Sequence, residues 1–188
     1  MGQADTILLV GSEGGSTWGF AATLHASLTQ TGQKVHAAPM SQFAPQRYSC
    51  AERVIVLAAT YGEGTGPASA KGFLDRLTAL PDVPDMPLAV LGFGDKKFPE
   101  FCAYAADVTL MAQEKGWEQF LPMATIDRQS PQEFARWGRD LGIALRQPLE
   151  LSHSPAIPRS HALTLISRRD YGAEMQASAA ILRFAIPK

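Results

Sequence analysis

Short apolar runs alternate along the chain with segments in which apolar residues recur at helical spacing. The runs Thr6 to Val10, Lys34 to Ala38, Arg53 to Ala59, Leu88 to Gly92 and Glu118 to Ala124 read as strands, rich in β-branched and aliphatic side chains. The third contains VIVLAA with no period of two, the pattern of a central strand covered on both faces. Between the runs, Phe20, Leu24 and Leu28 share one helical face that stops at Gly32, a candidate left-handed C-terminal cap. Phe73 and Leu77 mark a second helix, and Phe101, Ala105, Val108 and Ala112 a third. The last helix opens with Ser130 as N-cap, Pro131 in the first turn and Glu133 completing a capping box, ahead of Phe134, Trp137, Leu141 and Leu145 on one face. Alternation of this kind predicts an α/β fold, a doubly wound parallel sheet with helices on both faces.

After Gln147 the pattern changes. The stretch 148–160 holds three prolines and no helical period, as a linker does, and 161–188 contains two β-rich runs around a polar turn. The expected organisation is therefore a domain over 1–147, a linker over 148–160 and the start of a second domain over 161–188. Composition agrees, since 46% hydrophobic and 19% charged residues over 188 positions exclude disordered and fibrous classes. The net charge of −1 leaves no footprint for nucleic acid or a polybasic membrane patch. Residues 1–150 carry 12 basic and 16 acidic residues, and 151–188 carry 5 and 2, so an acidic body precedes a basic tail. Only Cys50 and Cys102 are present, far apart and without metal-ligand spacing. No run approaches the roughly 20 apolar residues of a spanning helix. These features point to a cytoplasmic protein, at the cytoplasmic face of a membrane were the full-length protein anchored. His25, His36, His153 and His161 have no catalytic partner in the pattern and read as structural or solvent-facing.

Candidate chemistry sits in three loops that follow strands. The first, GSEGGST, fits neither a Walker loop, lacking its lysine, nor the Gly-x-Gly-x-x-Gly spacing. It does place backbone N–H groups and the hydroxyls of Ser12, Ser16 and Thr17 at a helix N-terminus, a setting that holds phosphate without a cation. The second, ATYGEGTGP, follows the central strand and offers Tyr61; the third, GFGDKKFPEFC, offers Phe98. In an open α/β sheet such loops meet at the carboxyl edge of the strands. A phosphate seat and two aromatics beside it suit a planar ring bearing a phosphate.

GSEGGST, TYGEG and GFGDKKFPEFC, in this order and spacing, resemble the three flavin mononucleotide (FMN) loops of the flavodoxin-like domain in diflavin reductases of the cytochrome P450 reductase and sulfite reductase flavoprotein type. The resemblance covers residues 5 to 147 and implies a five-stranded sheet of order 2-1-3-4-5. It implies that Ser12, Glu13, Gly14, Gly15, Ser16 and Thr17 wrap the phosphate. Ala59, Thr60, Tyr61, Gly62, Glu63 and Gly64 would pass one face and the reactive edge of the ring. Gly92, Phe93, Gly94, Asp95, Phe98, Phe101 and Cys102 would support the other, with Asp127 close by. The tail is similar to the opening strands of the FAD-binding domain that follows in such reductases. The implied function is an NADPH-dependent diflavin oxidoreductase's electron-transfer module, passing single electrons from FAD to a haem, iron–sulfur or ferric acceptor. The implied partners are the FAD/NADPH reductase domain in the same polypeptide and a redox acceptor. A metal, nucleic acid or catalytic side chain is not expected in this stretch.

Two departures stand out. Gly14-Gly15-Ser16 replaces the usual Thr-Gly-Thr or Thr-Gly-Asn, and Phe98 replaces a more usual tyrosine. Two further readings of the residues stay open: a free-standing flavodoxin-type carrier, and a non-redox module on the same fold.

Overall fold

Five parallel strands form one sheet in the order β2-β1-β3-β4-β5: β1 Thr6–Gly11, β2 Val35–Pro39, β3 Arg53–Ala59, β4 Leu88–Gly94 and β5 Ala124–Asp127. The computed structural model describes residues 4–44, 51–154, 163–172 and 179–185. Cys50, His161 and the linker residues 155–160 lie outside these. The helices are α1 Ser16–Gln30, α2 Phe73–Thr78, α3 Ala103–Glu114 and α4 Pro131–Ala144, with single 3-10 turns at Met40–Gln42 and Ala68–Ala70.

Successive side chains of a strand point to opposite faces, and both faces of this sheet are buried. Ile7, Leu9, Val54, Val56, Leu88 and Val90 pack against Phe73, Leu77, Val108 and Trp117. Their neighbours Leu8, Val10, Ile55, Leu57 and Leu91 pack on the other side against Phe20, Leu24, Leu28, Phe134 and Leu141. This double burial is why VIVLAA shows no period of two. Helix α1 ends in a Schellman arrangement, with Gly32 at φ 90, its N–H donating to Thr29 O and the Gln33 N–H to Leu28 O.

Two sequence expectations shift. The fifth strand runs Ala124–Asp127 rather than Glu118 to Ala124. Glu118 and Phe120 do bond to Leu88, as an isolated parallel bridge at Gln119, but Pro122 has no N–H to continue the ladder, so pairing resumes after it. The second shift concerns the chain after α4: a compact unit spans Met1–Pro155, so residues 148–154, read from sequence as the beginning of the linker, fall inside it. The other unit, Ala156–Lys188, contains an antiparallel hairpin of β6 Leu165–Tyr171 and β7 Ala179–Phe184, exposed along its whole length. Among the described residues no helix is long and apolar enough to cross a membrane.

Candidate functional site

All five strands run in the same direction, so the loops after β1, β3, β4 and β5 emerge along one edge. A cleft of about 570 Å³ opens there. Ser16 and Thr17 line one end, Ala59, Thr60, Tyr61 and Gly62 the middle, and Phe93, Gly94, Asp95 and Phe98 the far side. Of three further lining residues, Glu100 lies within the third loop without having been singled out, and Arg128 and Gln129 carried no signal in the sequence.

The opening loop is tied to the segment after β3. The Ser12 N–H donates to Ser69 Oγ at 2.8 Å, and that hydroxyl donates back to Ser12 O at 2.8 Å. The Glu13 N–H donates to the Tyr61 hydroxyl at 3.2 Å, while a Glu13 carboxylate oxygen accepts from the Ala68 N–H at 3.2 Å. Glu13 thus fastens the loop to its neighbour with both backbone and side chain. Gly15 caps α1 at φ 81, a left-handed conformation that a β-carbon disfavours, whereas a β-carbon on Gly14 would meet nothing within 4 Å. Only one of the two glycines is required by the backbone. Ser12 Oγ is buried and has no partner among the described residues, leaving a hydroxyl beside the first turn of a 15-residue helix.

The second loop is a closed turn. Tyr61 and Thr65 exchange both backbone hydrogen bonds at 2.9 Å, with Gly62 at φ 51 and Gly64 at φ 87 between them. This holds Tyr61 by its hydroxyl and by its backbone. Phe98 is the opposite case: its backbone N–H is fixed to Asp95 O at 3.0 Å, yet the residue is 62% exposed. An anchored ring and a projecting ring therefore share the cleft.

The remaining expected residues sit behind or beside it. Gly92 is backed so closely by α3 that a β-carbon would come within 2.8 Å of Ala105 Cβ. Phe101 lies under Lys96, whose ammonium is 5.4 Å from the ring centroid. Cys102 is buried at φ 56 as the N-cap of α3, and burial pushes its thiol up to about 12, so it stays protonated at neutral pH. Ser12, Glu13, Gly14, Gly15, Glu63 and Gly64 do not line the cleft. Asp127 accepts from the Lys96 N–H at 3.0 Å, and this bond, with the nearby Arg128 and Lys96 charges, holds its carboxyl below the ordinary 3.8. Its backbone N–H donates to Glu133 Oε2 at 2.6 Å. The capping box is therefore only half formed: Ser130 Oγ accepts from the Glu133 N–H at 3.2 Å, but the glutamate carboxylate turns to Asp127 instead. The turn between them holds Arg128 at φ 44 and Gln129 at φ 59, with the Arg128 N–H on Gly94 O at 2.8 Å.

A helix N-terminus with backbone N–H groups and hydroxyls attracts an anion, and two aromatics further along the same cleft offer faces to a planar ring. The acidic Asp95 and Glu100, two strand positions from the opening loop, and the basic Arg128, three positions from it, stand at the ring end.

Comparison with known proteins agrees with this fold. A protein-family model described as Flavodoxin matches residues 8–137. The sulfite reductase [NADPH] flavoprotein alpha-component of Thiocapsa roseopersicina is 30% identical over 163 residues, covering 82% of this chain and 31% of that protein. The Bacillus subtilis (strain 168) protein of the same name is 27% identical over 135 residues, covering 71% and 22%. Human inducible nitric oxide synthase is 32% identical over 97 residues, covering 48% and 8%. The chain thus spans less than a third of the length of these relatives. Among solved structures, a flavodoxin of Streptococcus pneumonia TIGR4 superposes with a TM-score of 0.66 at 21% identity, covering 75% of this chain and 97% of that one. Oxidised flavodoxin 1 from Bacillus cereus gives 0.61 at 17%, covering 74% and 94%.

Proposed function

Because the chain belongs to the flavodoxin family, we propose that it binds FMN in the cleft and serves as the electron-transfer domain of a larger NADPH-dependent diflavin reductase. The observation that carries this reading is the joining of an anion seat and two aromatic residues in one cleft along one sheet edge. The residues fit the cofactor chemically. Ser12 supplies a buried hydroxyl in need of a partner, and Ser16 and Thr17 with the first-turn N–H groups of α1 supply donors for a phosphate. Tyr61 and Phe98 supply the faces for the ring and exclude water from it. When bound, FMN supplies the redox chemistry, accepting electrons in pairs or singly; the protein holds and tunes it.

Similarity to sulfite reductase flavoproteins supports placing an FAD- and NADPH-binding reductase domain as the partner in the same polypeptide, with a haem, iron–sulfur or ferric centre as acceptor. The acidic body carries only four excess negative charges over residues 1–150, so steering of a diffusing acceptor is weak and a tether matters more.

Titration of the purified chain with FMN and with riboflavin tests the reading. FMN binds with one site per chain and more tightly than riboflavin, because riboflavin leaves the donors of the opening loop unused; equal affinities overturn the assignment of that loop. In the FMN-loaded chain the visible spectrum is unchanged by NADPH and bleached by dithionite, since the hydride-accepting domain is not within these residues. Rapid bleaching by NADPH alone overturns the module reading in favour of an independent enzyme.

A further inference from the structure

The chain after α4 does not leave the domain where that helix ends. α4 starts beside the cleft, just beyond β5, and runs back to the opposite edge of the sheet. There Gln147 Nε2 donates to Thr31 O at 3.2 Å, and Gln33 Nε2 donates to Gln147 Oε1 at 2.9 Å. From that point the chain turns and climbs α1. Ser27 Oγ donates to Glu150 O at 3.4 Å, and His153 Nδ1 lies 2.9 Å from Thr23 Oγ1. The His153 ring covers Phe20 with centroids 3.8 Å apart, and its Cε1 is 3.2 Å from where a β-carbon on Gly19 would be.

Thr31, Ser27, Thr23 and Gly19 lie four residues apart, on one face of α1 and on successive turns. Their span is about 18 Å at the helical rise. The six residue steps of extended chain from 147 to 153 cover about 20 Å. The segment is thus an extended strap laid antiparallel to α1. Its alternation agrees, since Leu149 and Leu151 are buried while Pro148, Glu150, Ser152 and Ser154 are exposed.

The helices carry notches for it. A β-carbon on Gly142 would fall 2.8 Å from Gln147 O and 2.9 Å from Leu149 N, and one on Gly138 would fall 2.6 Å from Leu151 Cγ. Glycine weakens a helix interior, yet Gly19, Gly138 and Gly142 stand inside α1 and α4 where the strap makes its closest approaches.

We infer that residues 147–153 are a positioning strap that returns the chain to the cleft edge, so that the chain leaves this domain beside the cleft rather than at the far edge of the sheet. Without it the point of departure would be the end of α4, about 20 Å away by the length of that 14-residue helix. For a tethered partner, the reach between attachment point and site sets the effective concentration. The inference rests on the proposed function only for the meaning of the cleft; the strap's position can be tested without FMN.

The test places a nitroxide on S154C in the 188-residue chain carrying C50S, since Cys102 is buried. Amide signals of residues 16–20 are broadened by the label and those of residues 31–34 stay sharp. In G138L the strap cannot seat and this contrast is lost. L151A, which leaves the helix backbone as it is, weakens the contrast and raises hydrogen exchange of residues 149–153 about tenfold or more, while exchange in β3 is unchanged. Equal broadening at both edges in the parent overturns the inference, as does contrast retained in both folded variants. Should G138L not fold, L151A alone decides. Failure of FMN binding would leave the contrast intact, so the two readings fail separately.

Discussion

The opening loop and the turn after β5 bound the cleft at opposite ends and are built from opposite kinds of backbone. In the first, the left-handed position belongs to Gly15, and the neighbouring loop holds it through Ser69, Tyr61 and Ala68. In the second, two residues with full side chains, Arg128 and Gln129, take positive φ in succession. A left-handed conformation costs a residue with a β-carbon roughly 1–2 kcal/mol. That turn persists because its flanks are pinned, by Asp127 on the Lys96 N–H, by Glu133 on the Asp127 N–H and by the Arg128 N–H on Gly94 O. The end proposed to offer N–H groups to an anion is made of small residues at low strain. The other end keeps a charged side chain on the cleft and carries strain to do so.

The largest expected effect comes from removing a pin. Glu133→Ala leaves the Asp127 N–H without its acceptor and is expected to destabilise the domain by about 1–3 kcal/mol, read by urea denaturation. A smaller loss would mean that the turn is not held from its flank. At the other end, Gly15→Ala is expected to cost about 1–2 kcal/mol and to weaken FMN binding, checked by the same denaturation and by flavin titration. Gly14→Thr meets no steric obstacle and adds a hydroxyl, so it should tighten FMN by about 0.5–1.5 kcal/mol, the net value of one hydrogen bond. Gln129→Gly relieves strain, partly offset by glycine's greater entropy loss, and is expected to stabilise the fold by up to about 1 kcal/mol. A gain at Gln129 alongside a loss at Gly15 would sharpen the contrast between the ends; no change at either would break it.

The smallest effect is on pH dependence. The Asp127 carboxyl is held below its ordinary 3.8, so it binds protons less readily folded than unfolded. Its contribution is therefore fully present above that value and is lost as pH falls through the lowered folded one. Thermal unfolding between pH 5 and pH 3 should fall less steeply in Asp127→Asn than in the parent.

Much of the fold was readable because burial leaves a pattern of apolar positions in the sequence. β3, buried on both faces, appears as an unbroken apolar run, and Ser130 with Pro131 announces α4 through local capping chemistry. The loops were readable as well, since hydroxyls, glycines and aromatics after apolar runs are local facts of composition. Arg128 and Gln129 were not, because nothing in their neighbours distinguishes a polar loop residue that faces a cleft from one that faces water, and within the third loop nothing singled out Glu100. The strap was missed for a related reason. Its Pro148 and Ser152, followed by two more prolines, look like a linker, and Leu149 and Leu151 acquire meaning only when Gly142 and Gly138 are brought opposite them.

The sequence by itself determined the alternation of strands and helices, the order of the three loops and the residue types able to meet a phosphate and a planar ring, because each depends on residues a few positions apart. The tertiary structure alone decided what those loops grip and where the chain departs. Glu13 reaches the Ala68 N–H across 55 residues, and His153 reaches Thr23 across 130. Contacts over such separations arise only after the sheet has set which strands are neighbours, and no local pattern of side chains encodes them.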